Sequence, residues 1–414
     1  MNFFAVSPIA TIKGTSGNLV KVYIWYPAMT AAVFMMFGPE KYDGPGCVRI
    51  RAEEEAKKTG RPLQEVTYDL LFTPKGKVLS YPGLPLITDY EMHPQDFPVP
   101  PEVANHIVPR LHEIVESSDG MLLTSPASYE PEAVEAVSAW LGETGRPVYV
   151  CGPLLPAGSK AVSNEKKQSR QGAEITAFLD QTLQTSGERS LLYISFGSVF
   201  WPLRTPEKLW AFLDVVMELG IPSLLSHASP FAGDLPEEIV KKVKMYGKGF
   251  LSVWTPQQSV LQHPATGWFV THCGHNSIIE SISAGVPICV LAGMGQRLII
   301  DRLDSIAWPF HADQGFNAIR VIEVLKVGYE LIEVRTGHGL HPLHRNGREP
   351  VGTSEALRTE AKEVLANAFG EDGTRKREKL LMLTRSFQHE WDEGGRAWND
   401  VHAFLDRLWL AYGS

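Results

Sequence analysis

The sequence predicts an α/β protein of two domains, each built on a parallel sheet flanked by helices. Three observations carry that expectation. The chain has 414 residues, long enough for two separate cores. Short runs rich in branched and aromatic residues alternate with helical patterns along most of it. One polar, charged stretch poor in apolar residues, PAGSKAVSNEKKQSRQGA over 156–173, divides it as an interdomain linker.

The first predicted strand is VYIWY, inside the uncharged run Val22 to Gly38. That run sits at the lower edge of membrane-spanning length. Pro27 splits it, so it reads as a buried strand leading into a helix with proline in its first turn. Further strands follow as GMLLTS (120–125), PVYVCGP (147–153), SLLYISFG (190–197), GIPSLLS (220–226), GFLSVW (249–254), GWFVTH (267–272) and VPICV (286–290). Helical patterns such as EAVEAVSAWLGE, KLWAFLDVVMELG and NSIIESISAG lie between them. The segment 334–352 reads as a surface loop by composition, and 386–411 as a long helix interrupted by Gly394 and Gly395.

Composition narrows the function. The chain is 44% hydrophobic and 21% charged, with net charge −8 and no basic block, so nucleic-acid binding has no electrostatic support. Cys47, Cys151, Cys273 and Cys289 form no CxxC pair, and the N-terminus shows no signal-peptide pattern. A reducing, cytoplasmic setting without a membrane span is expected.

The most informative stretch is THCGHNSIIESISAGVPICV, 271–290. A strand passes through Gly274 into a short helix. Helix N-termini bind phosphates through unpaired N–H groups and the positive dipole end. Gly274 allows close backbone approach, and Asn276 and Ser277 suit an N-cap position. Glu280, placed on the first turn, suits a vicinal diol such as ribose. A plain capped helix with His272 packed as a neutral core side chain fits the local pattern equally.

The wider context adds WTPQQSVLQHPATGWF upstream and WPFHADQGFNA downstream. Together these resemble the signature box of the UDP-glycosyltransferase family: a Trp-x-Pro-Gln start, a His-Cys-Gly-x-Asn-Ser centre with a later Glu, a Gly-Val-Pro turn and an Asp/Glu-Gln end. The resemblance implies a GT-B fold, two Rossmann-like domains facing a cleft, with the N-terminal one incomplete. The divisions are then 1–155, an acceptor domain; 156–173, the linker; 174–385, a UDP-sugar-binding domain; and 386–414, a helix packing back on the first domain.

The resemblance also assigns roles. Trp254 would stack on uracil, Gln257 contact the base or ribose edge, and Glu280 hold the ribose hydroxyls. His272, Gly274, Asn276 and Ser277 would hold the diphosphate with Ser198, and Asp313 and Gln314 the transferred sugar. It implies transfer of a hexose, with inversion and without a metal, to a hydroxyl of a small lipophilic acceptor. No cofactor is expected beyond the UDP-sugar co-substrate. A nucleotide-sugar epimerase, which can share the plan, fits the two ends of the box less well.

Three departures stand out. His275 occupies the position where the plant form of the box has tryptophan. The 17 residues Leu291 to Ala307 stand between GVPICV and WPFHADQ, where the family pattern has almost nothing. They are expected to be an insertion, of translated-intron origin, able to form an amphipathic helix through Leu298, Ile299, Leu303 and Ile306 and to displace Asp313 and Gln314. Finally, no Gly-His loop of the kind that carries the family's catalytic histidine is present, nor its aspartate partner, so the catalytic residues are unassigned. The alternative function is therefore a UDP-sugar-binding protein without turnover. His93 in EMHPQDFP is the replacement base to consider, whereas His106 and His112 read as packing or surface residues. The HGLHPLHR run reads as solvated histidines rather than a metal site.

Overall fold

A computed structural model of the protein describes residues 13, 20–96, 108–155, 171–284 and 304–412. Its N-terminal half holds a parallel sheet of order β1-β4-β5 among the described residues: β1 (Tyr23–Tyr26), β4 (Gly120–Leu123) and β5 (Val148–Val150). A small antiparallel pair, β2 (Val78–Leu79) and β3 (Ile87–Thr88), lies between them in sequence. Pro27 precedes the next helix, Ala32–Phe37, by five positions and is not in its first turn. The chain turns first, and the Glu130 carboxylate accepts the amides of Thr30 (2.6 Å) and Ala31 (2.8 Å). A buried acid thus terminates the run that composition alone made membrane-like. No helix among the described residues is long and apolar enough to cross a membrane.

The second half holds a six-stranded sheet of order β11-β10-β9-β6-β7-β8, parallel throughout. Its strands are β6 (Leu191–Ser195), β7 (Ser223–Ser226), β8 (Gly249–Ser252), β9 (Thr266–Thr271), β10 (Asp304–Ala307) and β11 (Gly328–Glu330). β6 and β9 are buried at every position, as expected for central strands covered on both faces. From β6 the chain runs outward to β8, then returns to the other side of β6 at β9. The order therefore reverses between β6 and β9, and ligands of open α/β sheets bind beyond the carboxyl ends of the strands at such a point.

β10 revises the expectation for the extra segment. Ile306 does not lie on an amphipathic helix. It is fully buried in β10, opposite Val270 of β9 and Tyr329 of β11. The stretch 286–290, with Leu298, Ile299 and Leu303, lies outside the described residues. The last four residues of the 17-residue segment thus supply the strand that leads into Trp308.

The 334–352 segment is largely exposed, with His338, His341 and His344 all at the surface, yet it is anchored to the first half. Val334, Arg335 and Leu343 are buried, and the segment docks on 88–96 of the first half. His344 N–H donates to Glu91 (2.8 Å), and Asp96 N–H donates to Thr336 (2.8 Å). Arg335 and Arg345 draw it inward by pairing with Glu330. A buried charge needs a buried partner, and the partner here is a carboxylate at the end of β11.

The two halves also share one apolar core. Tyr26, Phe34 and Trp140 belong to the same cluster as Ile278, Ile282, Leu380 and Phe387. The chain ends in two helices, Glu371–His389 and Arg396–Tyr412, separated at the predicted glycines. The last helix packs on the first sheet: Phe404 meets Tyr23 and Tyr149, and Asp400 accepts the Val150 amide at 2.8 Å.

Candidate functional site

β9 ends at Thr271, and His272 follows as a buried ring stacked on Phe200, centroids 5.7 Å apart. Burial pushes its pKa down to about 4, so it is neutral at pH 7. The two neighbouring glycines exist because of this ring. A Cβ on Gly274 would stand 2.5 Å from His272 Nε2, and one on Gly197 would stand 2.9 Å from Cε1. Cys273 turns the chain between His272 and Gly274 in the left-handed region (φ 63°), unusual for a residue other than glycine.

The helix His275–Ser283 then begins, with Gly274 as its N-cap and no side-chain cap. Asn276 and Ser277 are therefore second and third helical residues rather than caps, and Glu280 lies on the second turn rather than the first. The helix mouth points into the crevice at the sheet's reversal.

The loop after β8 closes one side. Gln257 Nε2 donates to Glu280 Oε2 (2.6 Å) and to Ser277 Oγ (3.3 Å), and Gln258 Nε2 reaches Glu280 Oε1 at 3.4 Å. Tyr193 from β6 holds this loop through Thr255 (2.6 Å) and Gln257 (3.3 Å). Trp254 stands beside it, 45% exposed. Ser198 is exposed on the loop after β6.

The loop after β10 closes the opposite side. Asn317 Nδ2 donates to Asp313 Oδ2 at 3.2 Å, and the backbone amides of Met29 and His275 face the carboxylate. Burial outweighs these bonds and pushes its pKa up to about 6. Gln314 is buried, and its Oε1 accepts the amides of Phe310 (2.9 Å) and His311 (3.2 Å), so its carbonyl oxygen shapes the loop. Asp313 stands against Met29 and His275, so the extra segment leaves it in the cleft.

Between the halves lies a cavity of about 200 Å³, lined by Trp25 of β1, by Pro27 and Thr124 just past β1 and β4, and by His275, Asn276 and Glu280 from the helix. His275 is 5% exposed, and neither ring nitrogen has a hydrogen bond of good geometry, though Asn317 faces it. The structure thus gathers Trp254, Gln257, His272, Gly274, Asn276, Ser277, Glu280 and Asp313 around one helix mouth. Sequence reasoning missed Glu130, Tyr129 and Asn317. Tyr129 donates to Asn317 Oδ1 at 3.1 Å, behind Asp313. The four-residue spacing of Asp313 and Asn317 was the available signal.

A family model described as UDP-glucoronosyl and UDP-glucosyl transferase matches residues 104–319. The UDP-glycosyltransferase eriJ of Hericium erinaceus is 32% identical over 403 residues, covering 95% of this chain and 75% of that protein. The chain belongs to the UDP-glycosyltransferase family. The UDP-glucose flavonoid 3-O-glucosyltransferase 6 of Fragaria ananassa is 26% identical over 313 residues, with 70% of this chain and 54% of that protein covered. Against many plant relatives this glycosyltransferase chain thus spans about half of the relative's length.

Solved structures agree on the fold. Phytolacca americana UGT2, complexed with UDP-2-fluoro-glucose and pterostilbene, matches with a TM-score of 0.61 at 21% identity, covering 98% of this chain and 74% of that one. Medicago truncatula UGT71G1, complexed with UDP-glucose, matches at 0.57 and 19%, covering 97% and 79%. The arrangement is GT-B, two Rossmann-like halves across a cleft.

Proposed function

We propose that the protein transfers a hexose from a UDP-sugar to a hydroxyl of a small lipophilic acceptor, with inversion and without a metal or other cofactor. The docking of Gln257 and Glu280 against an uncapped helix mouth at the sheet's reversal carries this reading. An anion at Gly274, Asn276 and Ser277 would meet backbone donors and the positive end of the helix. A diol would meet the Glu280 carboxylate, and a flat base the Trp254 face. Asp313 and Gln314 would meet the hydroxyls of the transferred sugar, and Ser198 would help hold the diphosphate. The same donors would hold the charge that grows on UDP as it leaves. The acceptor would lie against the first half.

One observation favours the rival reading, binding without turnover. Histidine–aspartate contacts among the described residues occur at His263–Asp180 and His389–Asp392, and neither lies on the loops at the reversal. Titration calorimetry with UDP, followed by a radiolabelled UDP-glucose assay on mixed phenols and sterols, separates the two. Absence of UDP binding would overturn both readings. Binding with sugar transfer selects the enzyme.

A further inference from the structure

Building on the transferase reading, we propose that the cavity between the halves seats a phenolic acceptor, its flat ring against the first half and its hydroxyl towards the helix His275–Ser283. Both sheets present their carboxyl ends to this space. Trp25 lies in β1, Thr124 follows β4, and Leu154 and Leu155 lie beyond β5. Across from them, His275, Asn276, Ile279 and Glu280 share one face of the helix after β9, being one turn apart in pairs. Open parallel sheets bind ligands beyond these ends, and here two such sheets share one cavity. A ring seated there would lie beside Asn276 and Glu280, the residues proposed for the diphosphate and the ribose.

Size and shape narrow the ligand. The cavity holds about 200 Å³. An apolar cavity of about 150 Å³ takes benzene, whereas drug-sized ligands fill pockets of about 300–1,000 Å³. One substituted ring therefore fits, and a fused steroid skeleton does not. Trp25 and Leu154 are 47% and 46% exposed, so they stand at the mouth with apolar surface left for a ligand. Trp25 offers an indole face, and aromatic pairs attract beyond the area that they bury. A saturated ring gains no such contact.

The walls differ in polarity. The first half gives mainly apolar side chains, and the helix gives the polar ones. His275 is buried, and neither of its ring nitrogens has a hydrogen bond of good geometry. Leaving a buried polar group without a partner is costly. A neutral imidazole carries one N–H donor and one acceptor nitrogen, so it can accept a hydrogen bond from a phenol O–H while the ring stays unprotonated. Thr124 Oγ1 spends its proton on Tyr26 O at 3.2 Å and keeps its own lone pairs for a second donor. The cavity thus offers acceptors to a hydroxyl and apolar walls to the ring that bears it.

The test is titration calorimetry on the UDP-saturated protein with para-cresol, its saturated analogue 4-methylcyclohexanol, its methyl ether and cholesterol. Para-cresol should bind about 3- to 10-fold more tightly than 4-methylcyclohexanol, the margin of an aromatic pair beyond equal burial. It should exceed the methyl ether, which cannot donate, by about the same factor, and cholesterol should not bind. Leu154→Trp, which fills the mouth, should abolish para-cresol binding, and Trp25→Ala should weaken it about 10-fold. Both residues are exposed, so melting midpoint and UDP affinity should stay those of the parent. Equal affinity for the flat and the saturated ring would overturn the proposal, as would para-cresol binding unchanged in both variants. Loss of UDP affinity in Trp25→Ala would also overturn it, by giving the cavity to the donor. A parent that does not bind UDP would sink the donor-site reading and this assignment with it, whereas UDP binding without para-cresol binding would sink this proposal alone.

Discussion

Gln257 and Glu280 are joined by a 2.6 Å hydrogen bond that ties the loop after β8 to the helix after β9. Because Gln257 also reaches Ser277 and receives Tyr193, the three elements form one polar frame around the helix mouth. The acid is already oriented, so in the proposed function little ordering would be left for a nucleoside to impose.

Glu280→Ala should therefore weaken UDP binding by about 10- to 100-fold, the loss expected for hydrogen bonds to a charged group. Glu280→Gln should lose less, because it keeps one acceptor. Titration calorimetry reads both. Unchanged affinity in the alanine variant would remove the ribose role from Glu280.

Gly274→Ala should damage both fold and site. Gly274 has an ordinary φ of −59°, so the penalty is steric contact with His272 Nε2 at 2.5 Å rather than backbone strain. Displacing a buried, stacked ring costs roughly 1–3 kcal/mol, and the displaced turn would no longer present its amides. The expected result is a lower melting midpoint together with loss of UDP binding. A variant that melts and binds as the parent does would show that the ring moves freely.

Much of this site was legible because its residues lie on short segments whose order the sheet enforces. The strands from β4 to β9 were readable as apolar runs, since parallel strands are buried on both faces. β10 was not readable, because Asp304 and Ser305 are poor strand formers and become strand only through pairing with β9 and β11. The docking of the 334–352 segment was not readable, for Arg335 and Arg345 are drawn inward by Glu330, which no local pattern reveals. The His93–His311 contact spans 218 positions, beyond the reach of any motif.

The protein should lose stability on acidification from pH 6.5 towards 4. His272 and His275 are held at about 4 in the folded state, below the ordinary 6.5. The unfolded chain then binds more protons in that window, so stability is full above 6.5 and falls as pH drops towards 4. Asp313, raised to about 6, acts the other way: the folded state holds its proton longer, so acidification from 6 to about 4 favours folding through that residue. Each buried histidine carries up to roughly 3 kcal/mol, so the histidines outweigh one aspartate. Melting midpoints at pH 7 and 5 should differ, and His275→Gln should shrink the difference. Equal midpoints would mean that the imidazoles gain protons without cost.

Removal of residues 291–307 is expected to leave a folded protein that binds UDP. Deletion joins Val290 to Trp308, which brings Ile288, Cys289 and Val290 to the positions of Ser305, Ile306 and Ala307 beside β9. Apolar residues there suit a strand buried on both faces better than a serine does. The connection over 285–303 also shrinks to two residues, which lowers closure entropy by an amount on the order of 2 kcal/mol. Against this, Ser281 loses its 3.0 Å contact with Ser305 and is left buried without that partner, which costs about 1–3 kcal/mol. The opposing effects are similar in size, so the melting midpoint should stay equal or rise modestly. UDP affinity should be retained, because Asp313 is bonded by Asn317 and faces Met29 and His275, none of which belongs to the deleted segment. An insoluble deletion variant, or one that has lost UDP binding, would show that Asp304–Ala307 is the strand the sheet requires.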